Sequence, residues 1–376
     1  MAERVEAEFP ALRKETKPSE PQRGAAPNAG RILMALVLTA LTAVFLYAGF
    51  IFLRDANVPK IIVAVIAIVW GVGGIALLFT TANYLVETLG QTWRNRLQPY
   101  VFVGPAVLAL LYFLAIPTLR TLYISLFDSS GTNFVGLQNY VAVFTNQAMF
   151  TAFRNNVIWI VFGAGACVVA GLLIAVLADR SRFETLAKST IFMPMAISMV
   201  GASIIFNFIY DVDPHVGLLN ALYTGITGAG PIAWKSELQP FNNLFLIVVM
   251  VWLQTGYSMV LFSAAIKGIP TELLEAARVD GATELRVFFS IVIPSIMGTI
   301  ITVATTVVIF TLKIFDVVWI MTGGQFDTQV IATQFYREYF TAQNAGYGSA
   351  IAIVLLILVI PVMVYNIREF NERQAF

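Results

Sequence analysis

Apolar positions in this chain fall in long unbroken blocks, not at the spacing of a half-buried helix or strand. Eight blocks are set apart by polar segments, at about 32–53, 61–86, 100–119, 157–177, 190–210, 244–264, 295–315 and 348–365. Each approaches or exceeds the roughly 20 residues a helix needs to cross roughly 30 Å of hydrocarbon. The alternating segments of about 10 residues that build a membrane barrel are missing. The pattern predicts an all-α integral membrane protein with eight transmembrane helices. Residues 1–31 are polar and rich in Pro, Glu, Lys and Ala, which predicts a disordered tail. That tail is too long and too acidic for the n-region of a signal peptide, and the first block exceeds a signal h-region, so the block is expected to be retained.

Composition agrees with the blocks. The 376 residues are 58% hydrophobic and 12% charged, against roughly 25% charged in a soluble domain. Net charge is +1, so no basic face for nucleic acid is implied. The single cysteine, Cys167, has no disulfide partner within the chain. The single histidine, His215, lies far from it in sequence. A His/Cys metal site is therefore not expected, although carboxylate sites stay formally open. His215 reads as a surface residue.

Lys and Arg placement sets the orientation. With the N-terminus inside, segments 1–31, 87–99, 178–189, 265–294 and 366–376 hold sixteen of the 23 basic residues. The opposite segments hold only Arg54, Lys60, Arg120, Arg154, Lys235, Lys313 and Arg337. Both termini are thus expected in the cytoplasm. The outer connections 127–155, 211–242 and 322–346 are rich enough in Gly, Asn, Pro and aromatic residues to form small packed caps. Pro105, Pro117, Pro194 and Pro361 fall in or near spans, where neighbouring helices can satisfy the freed backbone groups. Gly163, Gly165 and Gly171 on the fourth span either admit a close helix neighbour or simply face lipid.

The most informative stretch is the cytoplasmic loop 267–294, KGIPTELLEAARVDGATELRVFFSIVIP. Pro270 suits the first helical position, and Leu273, Leu274 and Ala277 share a face. Gly281 supplies the left-handed residue that ends the helix, and Thr283 can cap a second one. Leu285, Phe288, Phe289 and Val292 recur at i, i+3, i+4 and i+7 along it. Acidic residues balance the basic ones here, which suits a protein groove better than a lipid surface. Glu275, Ala276 and Ala277, then Gly281 after three residues, then Ile291, Ile293 and Pro294, resemble the EAA motif of ABC-importer permeases, EAA-x3-G-x9-I-x-L-P. Ile293 replaces the usual leucine, a swap that conserves volume. The resemblance implies that Glu275, Ala276, Ala277, Gly281, Ile291 and Pro294 form a coupling loop that docks on a separate ATPase subunit. Closure of the ATPase dimer would then rock the spans between inward and outward access.

Over roughly residues 100–370 the chain is similar to the maltose-type, carbohydrate-uptake branch of that family. Phe134-Val135-Gly136-Leu137-Gln138-Asn139-Tyr140 resembles its FxGLxNY box, Lys313-Ile314-Phe315-Asp316 its KxFD element and Thr322-Gly323-Gly324 its TGG element. The usual TGGGP continuation is replaced by Gln325 and Phe326. Tyr210-Asp211-Val212-Asp213-Pro214 and Gly217-Leu218-Leu219-Asn220 look closest to α-glucoside permeases. The resemblance divides the chain into a tail (1–31), two extra spans (32–99) and a six-span permease core (100–376).

It also places Leu253, Gln254, Tyr257, Thr306, Phe310 and Lys313 where the maltose permease lines its sugar path. Polar groups inside spans are candidates for such a path on cost alone. Thr306, however, could equally bond its own helix backbone, and Lys313 could pair with Asp316 three residues on. No GxxxxGK run followed by Ser or Thr occurs, so ATP is not expected to bind this chain by that loop. The implied protein is not an enzyme and carries no cofactor itself; ATP and Mg sit on the partner. The implied partners are a second homologous permease, a homodimer of ATPase subunits, an extracytoplasmic sugar-binding protein, the sugar and membrane lipid. The implied location is the cell membrane. A stand-alone secondary transporter or channel would want carboxylates at mid-span, and the acidic residues lie in loops or at span ends. A membrane enzyme would want clustered His, Asp or Glu, and a sensor would lack the EAA loop.

Overall fold

The computed structural model describes residues 29–89 and 91–374, with side chains described through Arg368. The tail expected at 1–31 lies outside the described residues except for 29–31, which begin the first helix. The described chain is nearly all helical, because in lipid a spanning segment must satisfy every backbone group internally. Six helices are long and apolar enough to cross a membrane: α1 (Ala29–Asp55), α2 (Lys60–Glu87), α3 (Gln91–Ile124), α5 (Gln147–Asp179), α9 (Asn242–Lys267) and α15, whose apolar part is Ala345–Arg368. Between them, α4 (Gln138–Thr145) and α8 (Leu218–Thr227) are short helices in polar connections.

Two further stretches are bent pairs. The block at 190–210 is expected as one span, with Pro194 inside it. It is instead α6 (Glu184–Ala196) followed by α7 (Met199–Ile209), bent by 100°. The cause is local. Pro194 sits in a tight 3₁₀ turn, Ile197 is extended, and Ser198 starts α7 as an N-cap whose Oγ accepts from the Gly201 N–H at 3.1 Å. The second pair is α11 (Glu284–Ser295) and α12 (Met297–Leu312), bent by 69°. Pro294 cannot donate to the helical ladder, and Ile296 (φ −101°, ψ 8°) turns the chain. Residues 313–315 lie past the end of α12.

Two compact units are resolved, one ending at Pro117 and one beginning at Thr118. In the first, α1 and α2 pack where a side chain on Gly49 would collide with Trp70 and one on Gly74 with Leu46. Phe79 on α2 stacks on Phe102 of α3 at 6.2 Å.

In the second unit, α5 and α9 cross tightly around a core of Trp159, Met250, Met259 and Phe262. Helix association in lipid lacks the aqueous hydrophobic drive, so close packing has to hold it together. Gly171 shows this directly: a Cβ there would lie 2.5 Å from the Ser258 Cβ. Gly163 also faces Met250, whereas nothing lies within 4 Å of the corresponding point on Gly165. Gly256 on α9 meets α6 just before its 3₁₀ turn, since a Cβ there would lie 2.7 Å from the Ile191 carbonyl oxygen. The remaining helices are α10 (Thr271–Val279), α13 (Asp316–Thr322) and α14 (Ile331–Tyr336).

A candidate coupling hairpin and solute path

The hairpin of α10 and α11 is built as its residues dictate. Gly281 has φ +80°, the left-handed region that glycine enters at no steric cost. The Ala282 N–H then bonds the Ala277 carbonyl, and the Gly281 N–H bonds the Arg278 carbonyl, both at 3.0 Å. This is a Schellman closure, and it uses two carbonyls that the helix end would leave unpaired. Thr283 caps α11, its Oγ1 accepting from the Arg286 N–H at 3.4 Å. Arg278 Nε donates to Glu284 Oε1 across the corner at 2.8 Å. The Glu284 carboxylate holds the Arg278 guanidinium in its charged form, above the usual range.

Two expectations for the hairpin change. Pro270 sits one residue before the first helical position, with ψ 129°. Ile269, just ahead of it, is buried. The expected apolar faces also split. Leu274, Ala277, Ile291 and Phe288 pack inward around buried Ile269, Val287, Val292 and Ile296. Leu273, Leu285 (72% exposed) and Phe289 point outward. A π turn over Phe288–Val292 shifts the helical register, so a strict i, i+3, i+4 pattern cannot hold through it.

The expected coupling residues therefore divide by direction. Ala277 and Ile291 anchor the hairpin, and Pro294 ends it. Glu275, Ala276 and Gly281 are exposed, beside Val279 at 88% exposure.

Five of the six path residues lie on two packed helices, α9 and α12, and Lys313 follows the end of α12. Leu253 is 4% exposed and belongs to the main core, with Gln254 and Tyr257 half-buried nearby on α9. Thr306 donates to the carbonyl of Thr302 on its own helix at 2.7 Å. Phe310 is 41% exposed. No hydrogen bond or ring contact joins the α9 trio to Thr306, Phe310 and Lys313 among the described residues. The pairing considered for Lys313 and Asp316 does not form among the described residues. Lys313 closes α12, and the chain turns at Phe315 (φ −137°, ψ −57°) before Asp316 opens α13. His215 is exposed, with its N–H on Asp213 Oδ1.

Sequence reasoning missed a set of buried asparagines. Asn155 Nδ2 donates to the carbonyls of Asp327 and Gln329 at 2.6 and 2.8 Å. Asn156 donates to the Leu312 carbonyl and accepts from the Ile331 N–H. Asn242 donates to the Phe326 carbonyl at 2.7 Å. Together they pin a loop in which Phe326 and Asp327 have φ of 56° and 58°, costly for residues with a Cβ. The available signal was two Asn-Asn pairs, each at the start of a span.

Comparison with known proteins agrees with this architecture. Residues 167–374 match the family model described as binding-protein-dependent transport system inner membrane component. The chain is 50% identical over 278 residues to the osmoprotective compounds uptake permease protein GgtC of Synechocystis sp., covering 73% of this chain and 99% of that one. It is 42% identical over 286 residues to the alpha-glucoside transport system permease protein AglF of Rhizobium meliloti, covering 75% and 84%. The fold matches a chain of a bacterial alginate ABC transporter solved with an alginate pentasaccharide-bound periplasmic protein. The TM-score is 0.62 at 20% identity, over 73% of this chain and 93% of that chain. With apolar spans, an EAA-type hairpin and these relatives, the chain belongs to the family of binding-protein-dependent transport system inner membrane components, the multi-pass permeases of ABC importers.

Proposed function

We propose that this chain is the transmembrane permease subunit of an ATP-driven importer for a small sugar or sugar-like osmolyte, with an α-glucoside as the leading class. One observation carries the reading. The hairpin is closed on itself by a Schellman motif and an ion pair, and it leaves Glu275, Ala276, Val279 and Leu285 exposed. A small exposed surface on a rigid hairpin is what a separate motor needs to grip and move as a body. The relatives named for alpha-glucoside and osmoprotectant uptake support the substrate class.

The arrangement proposed has eight crossings, with α6–α7 and α11–α12 each counted as one, and both termini in the cytoplasm. The distribution of Lys and Arg supports that orientation. Residues 32–99 add two crossings to a core over 100–376. The partners are a second homologous permease, two ATPase subunits that hold ATP and Mg, and an extracytoplasmic binding protein that delivers the sugar. Leu253, Gln254, Tyr257, Thr306, Phe310 and Lys313 line the solute path in this reading. Leu253 would have to be uncovered by movement of α9 against its neighbours.

Reconstitution in vesicles tests the proposal. Uptake of a labelled α-glucoside should require ATP, the ATPase subunits and the binding protein together. Uptake by this chain alone, without a nucleotide-driven partner, would overturn it.

A further inference from the structure

The entry and the corner of the hairpin grip one short turn of chain, the connection between α5 and α6. At the hairpin's N-terminal end, Lys267 is the last residue of α9 and its Nζ bonds Glu184 Oε1, at the first residue of α6. At the hairpin's corner, Glu284 is the first residue of α11, and Arg180 Nη2, just past α5, donates to its Oε2 at 2.8 Å. Behind this clasp lies a less exposed cluster. Lys188, one turn along α6, bonds Glu184 Oε1 at 2.5 Å, Ser263 Oγ at 2.5 Å and Asp179 Oδ1. Ser263 Oγ in turn donates to Asp179 Oδ1 at 2.7 Å. The Lys188 and Asp179 side chains are only 18% and 12% exposed.

We propose that Lys188 is a positioning residue for energy coupling: it fastens α6 to α5 and α9 so that displacement of the hairpin is carried along α6 to Ile191 and Phe192. This inference rests on the hairpin being the coupling element. The far end of the lever is already in place. The α6 backbone at Ile191 and Phe192 lies against Gly256, between Gln254 and Tyr257 on α9. An apolar residue of similar length at 188 would pack as well in a bundle, yet would leave Asp179 and Glu184 short of a cation. A partly buried pair of this kind is weak evidence for stability and better evidence for fixed geometry. Its acids and bases balance: Asp179 and Glu184 face Lys188 and Lys267.

The test uses the reconstituted complex with its ATPase and binding protein, comparing Lys188→Met, the exchange Asp179→Lys/Lys188→Asp, and Gly281→Pro. Sugar molecules imported per ATP hydrolysed should fall about tenfold in Lys188→Met, within the usual span of coupling free energies. ATPase binding should persist, and the exchange should restore much of the ratio. If Lys188→Met does not accumulate in the membrane, Ser263→Ala and Glu184→Gln carry the test, with smaller losses of the same ratio expected. An unchanged ratio in the cluster variants, with Gly281→Pro uncoupled, would overturn the role of Lys188 and leave the hairpin reading standing. An unchanged ratio in Gly281→Pro as well would overturn both.

Discussion

Arg278 and Glu284 face each other across the Gly281 corner, Nε to Oε1 at 2.8 Å, and so brace the angle between α10 and α11. Both side chains are about half exposed. Exposed pairs of this kind add little net stability, because water and salt screen them. Arg278→Ala should therefore leave thermal stability in detergent nearly unchanged, while sugar imported per ATP drops measurably. A large fall in melting temperature would show that the pair is structural instead.

Gly281 holds φ +80°. A left-handed conformation costs a residue with a Cβ about 1–2 kcal/mol, and nothing crowds the added methyl. Gly281→Ala should thus lower coupling mildly and Gly281→Pro severely, because proline is locked near φ −65°. Membrane yield should stay near wild type in both. Uptake and ATPase assays on the same vesicles read the result.

Gly171 meets Ser258 where α5 crosses α9. Overpacking of a tight contact costs typically about 1–3 kcal/mol. Gly171→Val should lower the detergent melting temperature, whereas Gly165→Val, with open space around it, should not. Equal effects would place the crossing elsewhere.

Asn155 supplies donors to two carbonyls of the loop at 327–329. A hydrogen bond of this kind contributes about 0.5–1.5 kcal/mol net. Asn155→Leu should open that loop to added protease in detergent, with the α9–α12 core still intact. Unchanged digestion would refute the pinning role.

Asp128 accepts from Asn133 Nδ2, Ser130 Oγ and the Thr132 N–H, which together hold its carboxyl well below the usual carboxylate range. A depressed folded value stabilises the loop above the unfolded value of about 4 and loses that stabilisation as pH falls through the folded one. Hydrogen exchange over residues 125–139 should therefore quicken once pH drops below about 4, after correction for intrinsic rates. Asp128→Asn should exchange faster at neutral pH and show no such acid step.

How much of this was legible differs by level. The spans could be read because lipid demands long apolar blocks, and the hairpin corner because Gly281 and Thr283 announce a stop and a start. The 100° break at Ile197 could not be read, because proline is tolerated within membrane helices and Pro194 alone does not say whether the chain kinks or turns back. The π turn at Phe288–Val292 misdirected Leu285 and Phe289 for a similar reason: one extra residue in a turn changes no composition. Lys188 looked like one more cytoplasmic cation. Ser263, which it bonds, lies 75 residues away in sequence, and only packing brings them together.

At the hairpin corner the carbonyls of Ala276, Ala277 and Arg278 are already taken by Asp280, Ala282 and Gly281. Whatever seats itself there finds little main chain asking for a bond. Fit then falls to the contour of Ala276, Val279 and Leu285, and contour is forgiving of chemical detail. A receptacle shaped for one such corner should accept another with different flanking charges, so motors ought to be shareable among permeases whose cargoes have nothing in common.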